Sequence, residues 1–351
     1  MQANIAKTAI KFPILLKCGY LCGLVMILDI ARHKFYEGII YLFIVAIAAV
    51  VIGFVAINDN VADMTLAAAP LQPAMRDFMF NHPVISALIS LVLIMGTSLR
   101  LTRATISHSL FSVSSLATMS LSAVVILGVG IHGNILATLI VGYLLSESVN
   151  RICYCTTPEP TLHYMFTANL AMGAMPLFDC SMLAPALITP IVVLLSNKKP
   201  REIVVAYIGI LLPTFVYSYV KWCTGELFTA PAVQMWEGML TPSGLADGSY
   251  LSIARLVMLG IVLFMQICTT LIYYNDRLSI SLASRQIWRT LQIVVGLLVT
   301  CFILLPSTSP ASFMAVGLCM SMMMPLVFFK VEGVSSMVAF YVLLSIALWA
   351  I

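Results

Sequence analysis

Charge is what this sequence lacks most. Asp, Glu, Lys and Arg together make up 9% of its 351 residues, against 61% hydrophobic. Soluble domains carry about 25% charged and about 45–50% apolar residues, so no water-solvated fold can hide this much apolar surface. Metal-ligand patterns are missing as well. The five histidines (His33, His82, His108, His132 and His163) form no HxxxH or HxxHH pattern that would set ligands on one helix face. This excludes a histidine-rich iron oxygenase. Cys153-Tyr-Cys155 is too tight for a zinc pair, which wants about two to four residues between ligands. The nine cysteines are scattered through apolar windows, where a thiol packs as a small hydrophobe. There is no P-loop, no GxSxG elbow and no dinucleotide fingerprint, so neither ATP hydrolysis by this chain nor a bound nucleotide cofactor is expected. No metal, cofactor or nucleic-acid partner follows from the residues.

What is present is apolar length. A spanning helix needs about 20 mostly apolar residues, and eleven windows qualify or nearly so: 38–57, 83–99, 110–130, 135–148, 161–178, 180–196, 202–221, 251–274, 290–305, 311–328 and 334–351. The expected fold is all-α: a polytopic transmembrane bundle of about eleven spans, forming a single membrane domain over 38–351. Cytoplasmic loops collect Lys and Arg, and the net charge of +4 is read as topology. With Arg32 and Lys34 inside, the inner loops also hold Arg100, Arg103, Arg151, Lys198, Lys199, Arg201, Arg277, Arg285, Arg289 and Lys330. The outer side holds Arg76, Lys221 and Arg255, which gives twelve against three. Losing one middle span would scramble that division.

The stretch "ANLAMGAMPLFDCSMLAPALITP" at 168–190 tests the count, because it carries Asp179 at its centre. As one helix, 161–196 would run about 54 Å at 1.5 Å per residue, far beyond a hydrocarbon core of about 30 Å. Two short helices with a turn at "FDCS" fit, with Asp179 as an ordinary turn or N-cap residue at or just beneath the outer surface. Pro185 and Pro190 then fall inside the second helix. Residues 1–37 fit less cleanly. The apolar run 12–28 contains Lys17 and is followed by Asp29; as a span it would put Lys7 and Lys11 outside, so an interfacial or weakly inserted segment is expected.

Ionisable and amide groups within apolar spans are the site candidates. Glu147 and Arg151, four apart on one helix face, read as a local ion pair. Asn169 and Gln266 are the amides deep in confident spans and read first as interhelical hydrogen-bonding residues. Arg255, one turn into its span, is expected to snorkel outward, or to hold a lipid phosphate. The outer loop 58–83 holds Asp59, Asp63, Arg76 and Asp77. Its acids resemble the catalytic carboxylate that membrane glycosyltransferases using polyprenyl-phosphate sugars carry in their first outer loop. A carboxylate there acts as general base on an acceptor hydroxyl, and Arg binds the lipid phosphate. The loop 222–250, with Trp222, Phe228, Trp236 and Tyr250, is expected to lie along the surface as an aromatic anchor or a short amphipathic helix.

Residues 81–221 carry a further pattern. Asn81 precedes a span ending in Arg100 and Arg103, a G-x-x-x-L-F turn runs from Gly173 to Phe178, and a Pro200-Arg201-Glu202 loop leads into a span with Gly209, Pro213 and Tyr219. This pattern resembles a family of multi-spanning inner-membrane proteins of the Bacteroidota whose function is unknown. The resemblance implies a shared helical fold and a bacterial inner membrane, and it assigns no functional residue. Three functions stay open. The first is handling of a lipid-linked envelope substrate at the outer leaflet, through Asp59, Asp63, Asp77, Arg76 and Arg255. The second is a small-molecule permease with a path near Asn169, Asp179 and Gln266. The third is a non-catalytic subunit whose basic inner loops dock a protein partner. Whether the chain is an enzyme is left open by the residues.

Overall fold

The structure, a computed structural model, describes residues 34–58, 69–111, 116–130, 135–155, 162–195, 200–242, 252–276, 281–330 and 334–350. The 1–33 segment and Asp59 and Asp63 lie outside the described residues, as do Lys198 and Lys199. Everything regular that is described is helical. In chain order the helices are α1 (Lys34–Asn58), α2 (Gln72–Asn81), α3 (Pro83–Ser107), α4 (Ala117–Gly130), α5 (Ile135–Cys155), α6 (Leu162–Ala174) and α7 (Leu183–Leu195). They continue with α8 (Pro200–Cys223), α9 (Ala230–Leu240), α10 (Ile253–Asn275), α11 (Leu282–Leu304), α12 (Pro310–Ser321), α13 (Pro325–Lys330) and α14 (Val334–Ala350). Each of the eleven apolar windows contains helix. Six stretches are long and apolar enough to cross a membrane: α3, α5, most of α8, α10, most of α11, and α12 with α13 taken together. In the other windows α4, α6, α7 and α14 are 13 to 17 residues long, and within α1 only Ile40–Ile52 is counted as an apolar stretch, so among the described residues length and composition support six spans where the windows predicted eleven. The loop expected at 58–83 also contains a helix, α2, because Pro73 sits in its first turn and fixes a helical φ there.

Unlike a soluble protein, the bundle is apolar on its outer faces as well as in its core. On α3, Val84, Leu88, Val92, Met95 and Leu99 are exposed while Ser86, Ser90, Thr97, Ser98, Thr102 and Thr105 are buried. The same outward apolar stripe runs along α8 through Val204, Ile208, Leu211, Phe215 and Tyr219. A lipid solvent makes this stable, since exposed apolar surface costs nothing there and buried hydroxyls can be satisfied on their own helix. Thr97 donates to the Leu93 carbonyl at 2.7 Å and Thr102 to that of Ser98 at 2.8 Å. At the centre stands α12, all twelve residues of which are buried; it packs on α4, α5, α10 and α11. Trp288 of α11, fully buried, donates its indole N–H to the Leu110 carbonyl at 3.1 Å and stacks on Tyr273.

Two devices shape the bundle. The first is the crossing of α6 and α8, where backbone meets backbone. A Cβ on Gly173 would lie 2.2 Å from the Ile210 carbonyl oxygen, and one on Gly209 would lie 2.8 Å from that of Phe166. The small residues in "TANLAMGAM" thus serve close approach. The second is a pair of helix breaks. The α6–α7 break falls at Asp179, as the length argument requires, with Pro190 inside α7 and Pro185 in its first turn. The α12–α13 break at Met322–Met324 was not foreseen within the 311–328 window. Pro325 has no N–H to give the Ser321 carbonyl, and the chain instead makes tight turns, Met323 N–H to the Met320 carbonyl at 2.9 Å and Val327 N–H to that of Met324 at 3.0 Å.

Because the atoms that a new Cβ at Gly173 meets are backbone, Gly173→Ala should destabilise the protein by about 1–3 kcal/mol, read as a lower melting temperature in detergent. Gly260→Ala, on an open face of α10, should leave it unchanged or slightly raised.

Candidate functional site

Elements distant in sequence converge at the end of the bundle where α6 turns into α7. The chain leaves α6 through a 3₁₀ turn at Met175–Leu177 and re-enters through another at Cys180–Met182, with Asp179 as the N-cap between them. Asp179 Oδ1 accepts the Ser181 amide at 2.9 Å and the Ser181 hydroxyl at 2.6 Å. Ser181 Oγ lies 2.9 Å from Ser309 Oγ, 128 residues away. Ser309 is the N-cap of α12: its Oγ accepts the Ser312 amide at 3.3 Å, and the Ser312 hydroxyl in turn serves the Ser309 amide at 3.0 Å. Either hydroxyl of the Ser181–Ser309 pair can donate to the other, and together they link the start of α12 to the Asp179 carboxylate. This places a carboxylate at two helix starts, where a negative charge is favoured.

Around this turn the neighbouring segments are pinned. Leu71 N–H donates to the Leu177 carbonyl at 2.9 Å, and the Tyr217 hydroxyl donates to the Pro70 carbonyl at 3.1 Å. A small apolar knot of Ala69, Leu177, Cys180 and Met235, separate from the main core, joins α2 and α9 to the turn. α9 is the short surface helix expected in 222–250. Beside the turn lies a small cleft of about 10 Å³ between α7, α11 and the start of α12, lined by Met182, Pro185, Leu298, Phe302 and Leu305, with Ser181, Thr308 and Ser312 supplying hydroxyls. That is room for about one water molecule, far below the roughly 300–1,000 Å³ of a site for a drug-sized ligand.

The sequence candidates distribute unevenly over this geometry. Arg76 and Asp77 sit exposed on α2, with the Arg76 guanidinium 5.9 Å from the Phe80 ring centre. Arg255 does not snorkel. It is 5% exposed in the first turn of α10, where its amide is capped by Ser252 Oγ at 3.3 Å, so an accessible phosphate-binding side chain is not what this conformation offers. Asn169 is fully buried, but its amide donates to Met165 of its own helix at 2.8 Å and makes no bond across the interface; its Oδ1 is unpartnered. The reason is the glycine crossing: α8 approaches Asn169 with Gly209, which has no side chain to answer it. Gln266 does reach across, donating to Met323 Sδ at 3.4 Å in the α12–α13 break, with its Oε1 unpartnered.

At the other end of α6 stands a second cluster, of which the sequence showed only one edge. Glu147 pairs with Arg151 at 2.8 Å as its spacing implied, and Arg100 of α3 closes on its other oxygen. Arg100 lies 5.0 Å from the Tyr143 ring centre and Arg151 5.8 Å from that of Tyr164. Next to it His108 packs edge-on to Tyr154, with ring centres 4.4 Å apart. Burial pushes the His108 imidazole below its usual pKa, opposed by its bond to the Asn150 carbonyl. The SPAS cap at 309–312 was readable as an N-terminal helix signal; the Ser181–Ser309 and Arg100–Glu147 contacts had no local signal at all. No group of three or more His, Cys, Asp or Glu among the described residues is arranged to hold a metal ion.

The chain matches no model of a protein family, no curated protein and no solved structure. The site's own geometry therefore carries the functional reading.

Ser181→Ala removes the hydroxyl that joins Asp179 to Ser309 and should cost about 1–3 kcal/mol, seen as a lower melting temperature. Combined with Ser309→Ala it should cost clearly less than the sum of the two single changes, because both break one chain of hydrogen bonds.

Proposed function

We propose that this is a multi-pass bacterial inner-membrane protein that handles an amphiphilic, lipid-linked envelope substrate at the outer leaflet, at the Asp179 end of the bundle. The observation that carries the reading is the anchoring of α2 to the Asp179 turn through Leu71 and Leu177. It brings the exposed Arg76 and Asp77 to the same end as the cleft and the Asp179–Ser181–Ser309 chain. Arg76 is suited to a phosphodiester or pyrophosphate head, and the exposed apolar faces of the bundle to its chain. Asp77 is the carboxylate in position to act as general base on an acceptor hydroxyl, with Asp59 and Asp63 a short way upstream in sequence. The resemblance to the Bacteroidota family fits this setting.

The eleven-span topology belongs to the same proposal, and the packing supports it. Segments that charge assigns outside, around 69–71, 177–181, 217, 235 and 309, meet at one end. Segments that charge assigns inside meet elsewhere: Arg100 with Glu147 and Arg151, Ser109 with Ser284, and Lys330 with Asp276. A permease is the second reading. Its support is the broken α12–α13 with Gln266 against it, since discontinuous helices with spare amide and carbonyl oxygens are how many carriers hold small polar cargo.

Native mass spectrometry of gently solubilised protein tests the first reading. A retained polyprenyl-phosphate, or its glycan derivative, is expected. Arg76→Gln should lower its retention by roughly tenfold or more, the scale of one lost charge-assisted bond. Retention of bulk phospholipid alone by the wild type would remove the reading, and uptake assays on Gln266→Leu and Asn169→Leu would then decide the second.

A further inference from the structure

We infer that the Arg100–Glu147–Arg151 cluster is a headgroup site for an anionic phospholipid, at the end of the bundle opposite Asp179. The two ends are separated by the length of α6, which runs from Tyr164, beside Arg151, to Ala174 at the Asp179 turn. Two guanidinium groups share one carboxylate, Arg100 through Nη1 on Oε2 and Arg151 through Nε on Oε1. The carboxylate is spent on them, and the cluster keeps one positive charge.

Geometry then gives the excess charge a direction. The Glu147 side chain is 19% exposed, whereas those of Arg100 and Arg151 are 38% and 32% exposed. The acid is therefore the more covered partner and the two arginine side chains the more exposed. Each guanidinium has five N–H donors, and the Glu147 contacts engage one nitrogen of each, Arg100 Nη1 and Arg151 Nε. A ring lies beside each of them, Tyr143 for Arg100 and Tyr164 for Arg151; Tyr164 is itself stacked on Tyr154 with ring centres 5.1 Å apart. Cation–π contact and the shared carboxylate hold two planar donor groups side by side, which suits a tetrahedral phosphate better than a pair of mobile lysines does.

The surroundings select a lipid over a soluble anion. Arg103 continues the stripe of α3 that faces outward with Val92, Met95 and Leu99, and Arg100 lies at the edge of that stripe, toward α5. A phosphate on Arg100 and Arg151 would leave its acyl chains along that stripe. Arg103, exposed one turn further along, adds attraction for an anionic surface. Basic pockets between helices on the cytoplasmic side bind anionic headgroups by these same contacts. The inference does not depend on the substrate proposed for the Asp179 end.

The test uses the full chain in lipid nanodiscs of phosphatidylcholine with increasing phosphatidylglycerol. Bound lipid is counted by native mass spectrometry, and melting temperature is read in parallel. Roughly tenfold preference for phosphatidylglycerol is expected, unaffected by millimolar inorganic phosphate. Arg100→Lys keeps a cation on Glu147, so the melting temperature without phosphatidylglycerol should hold while the preference falls severalfold. Arg100→Gln should abolish most of the preference. Equal binding of the two lipids by the wild type would overturn the inference, as would a preference that survives both substitutions. Displacement of the lipid by inorganic phosphate would overturn it too, by identifying a site for a soluble anion.

Discussion

A solvent that offers no hydrogen bonds governs the rest of this structure. Every backbone N–H and C=O in the apolar stretches must find its partner inside the chain, and this is why the described regular structure is helical throughout and why hydroxyls turn inward. The buried threonines of α3 and α10 bond to carbonyls of their own helices. They add polarity to the interior without specifying which helix lies opposite. Specificity comes from shape, chiefly the glycine-lined crossing of α6 and α8, and from the few polar contacts that reach between helices.

Those few contacts sit mostly at helix ends. At one end Asp179, Ser181 and Ser309 tie the α6–α7 turn to the start of α12. At the other, Glu147 gathers Arg100 and Arg151. Between them run helices whose outward faces are apolar and whose inward faces pack tightly. The bundle thus presents one carboxylate-centred end and one guanidinium-rich end. That polarity matches the charge bias of the loops and underlies both functional proposals.

The two helix breaks differ in chemistry. At Asp179 the break is capped by its carboxylate and tied by hydrogen bonds to Leu71 and Ser309, which makes it a fixed corner. At Met322–Met324 it is filled by unbranched thioethers, which pack irregular space without strict geometry. Gln266 faces this softer break with one oxygen unpartnered. If any part of the interior exchanges partners during function, the balance of hydrogen bonds favours this one over the Asp179 corner.

Residue order by itself determined the class, the helix in every apolar window, the break at Asp179 and the Glu147–Arg151 pair. Each of these follows from local spacing: apolar run length against bilayer thickness, proline position, or four residues along one helix face. It also predicted eleven spans, where helix length and composition among the described residues support six, because a window average does not set the length of the helix it contains. The outward snorkelling expected of Arg255 and the interhelical bond expected of Asn169 went the other way for a related reason. Whether a side chain meets lipid, water or a glycine is a property of its neighbour across the interface. Only the tertiary structure decided that Ser309 would meet Ser181, that Arg100 would meet Glu147, and that α2 would be pinned beside the Asp179 turn. These contacts join residues dozens to more than a hundred positions apart, and a sequence read one helix at a time holds the chemistry of each partner but not their meeting.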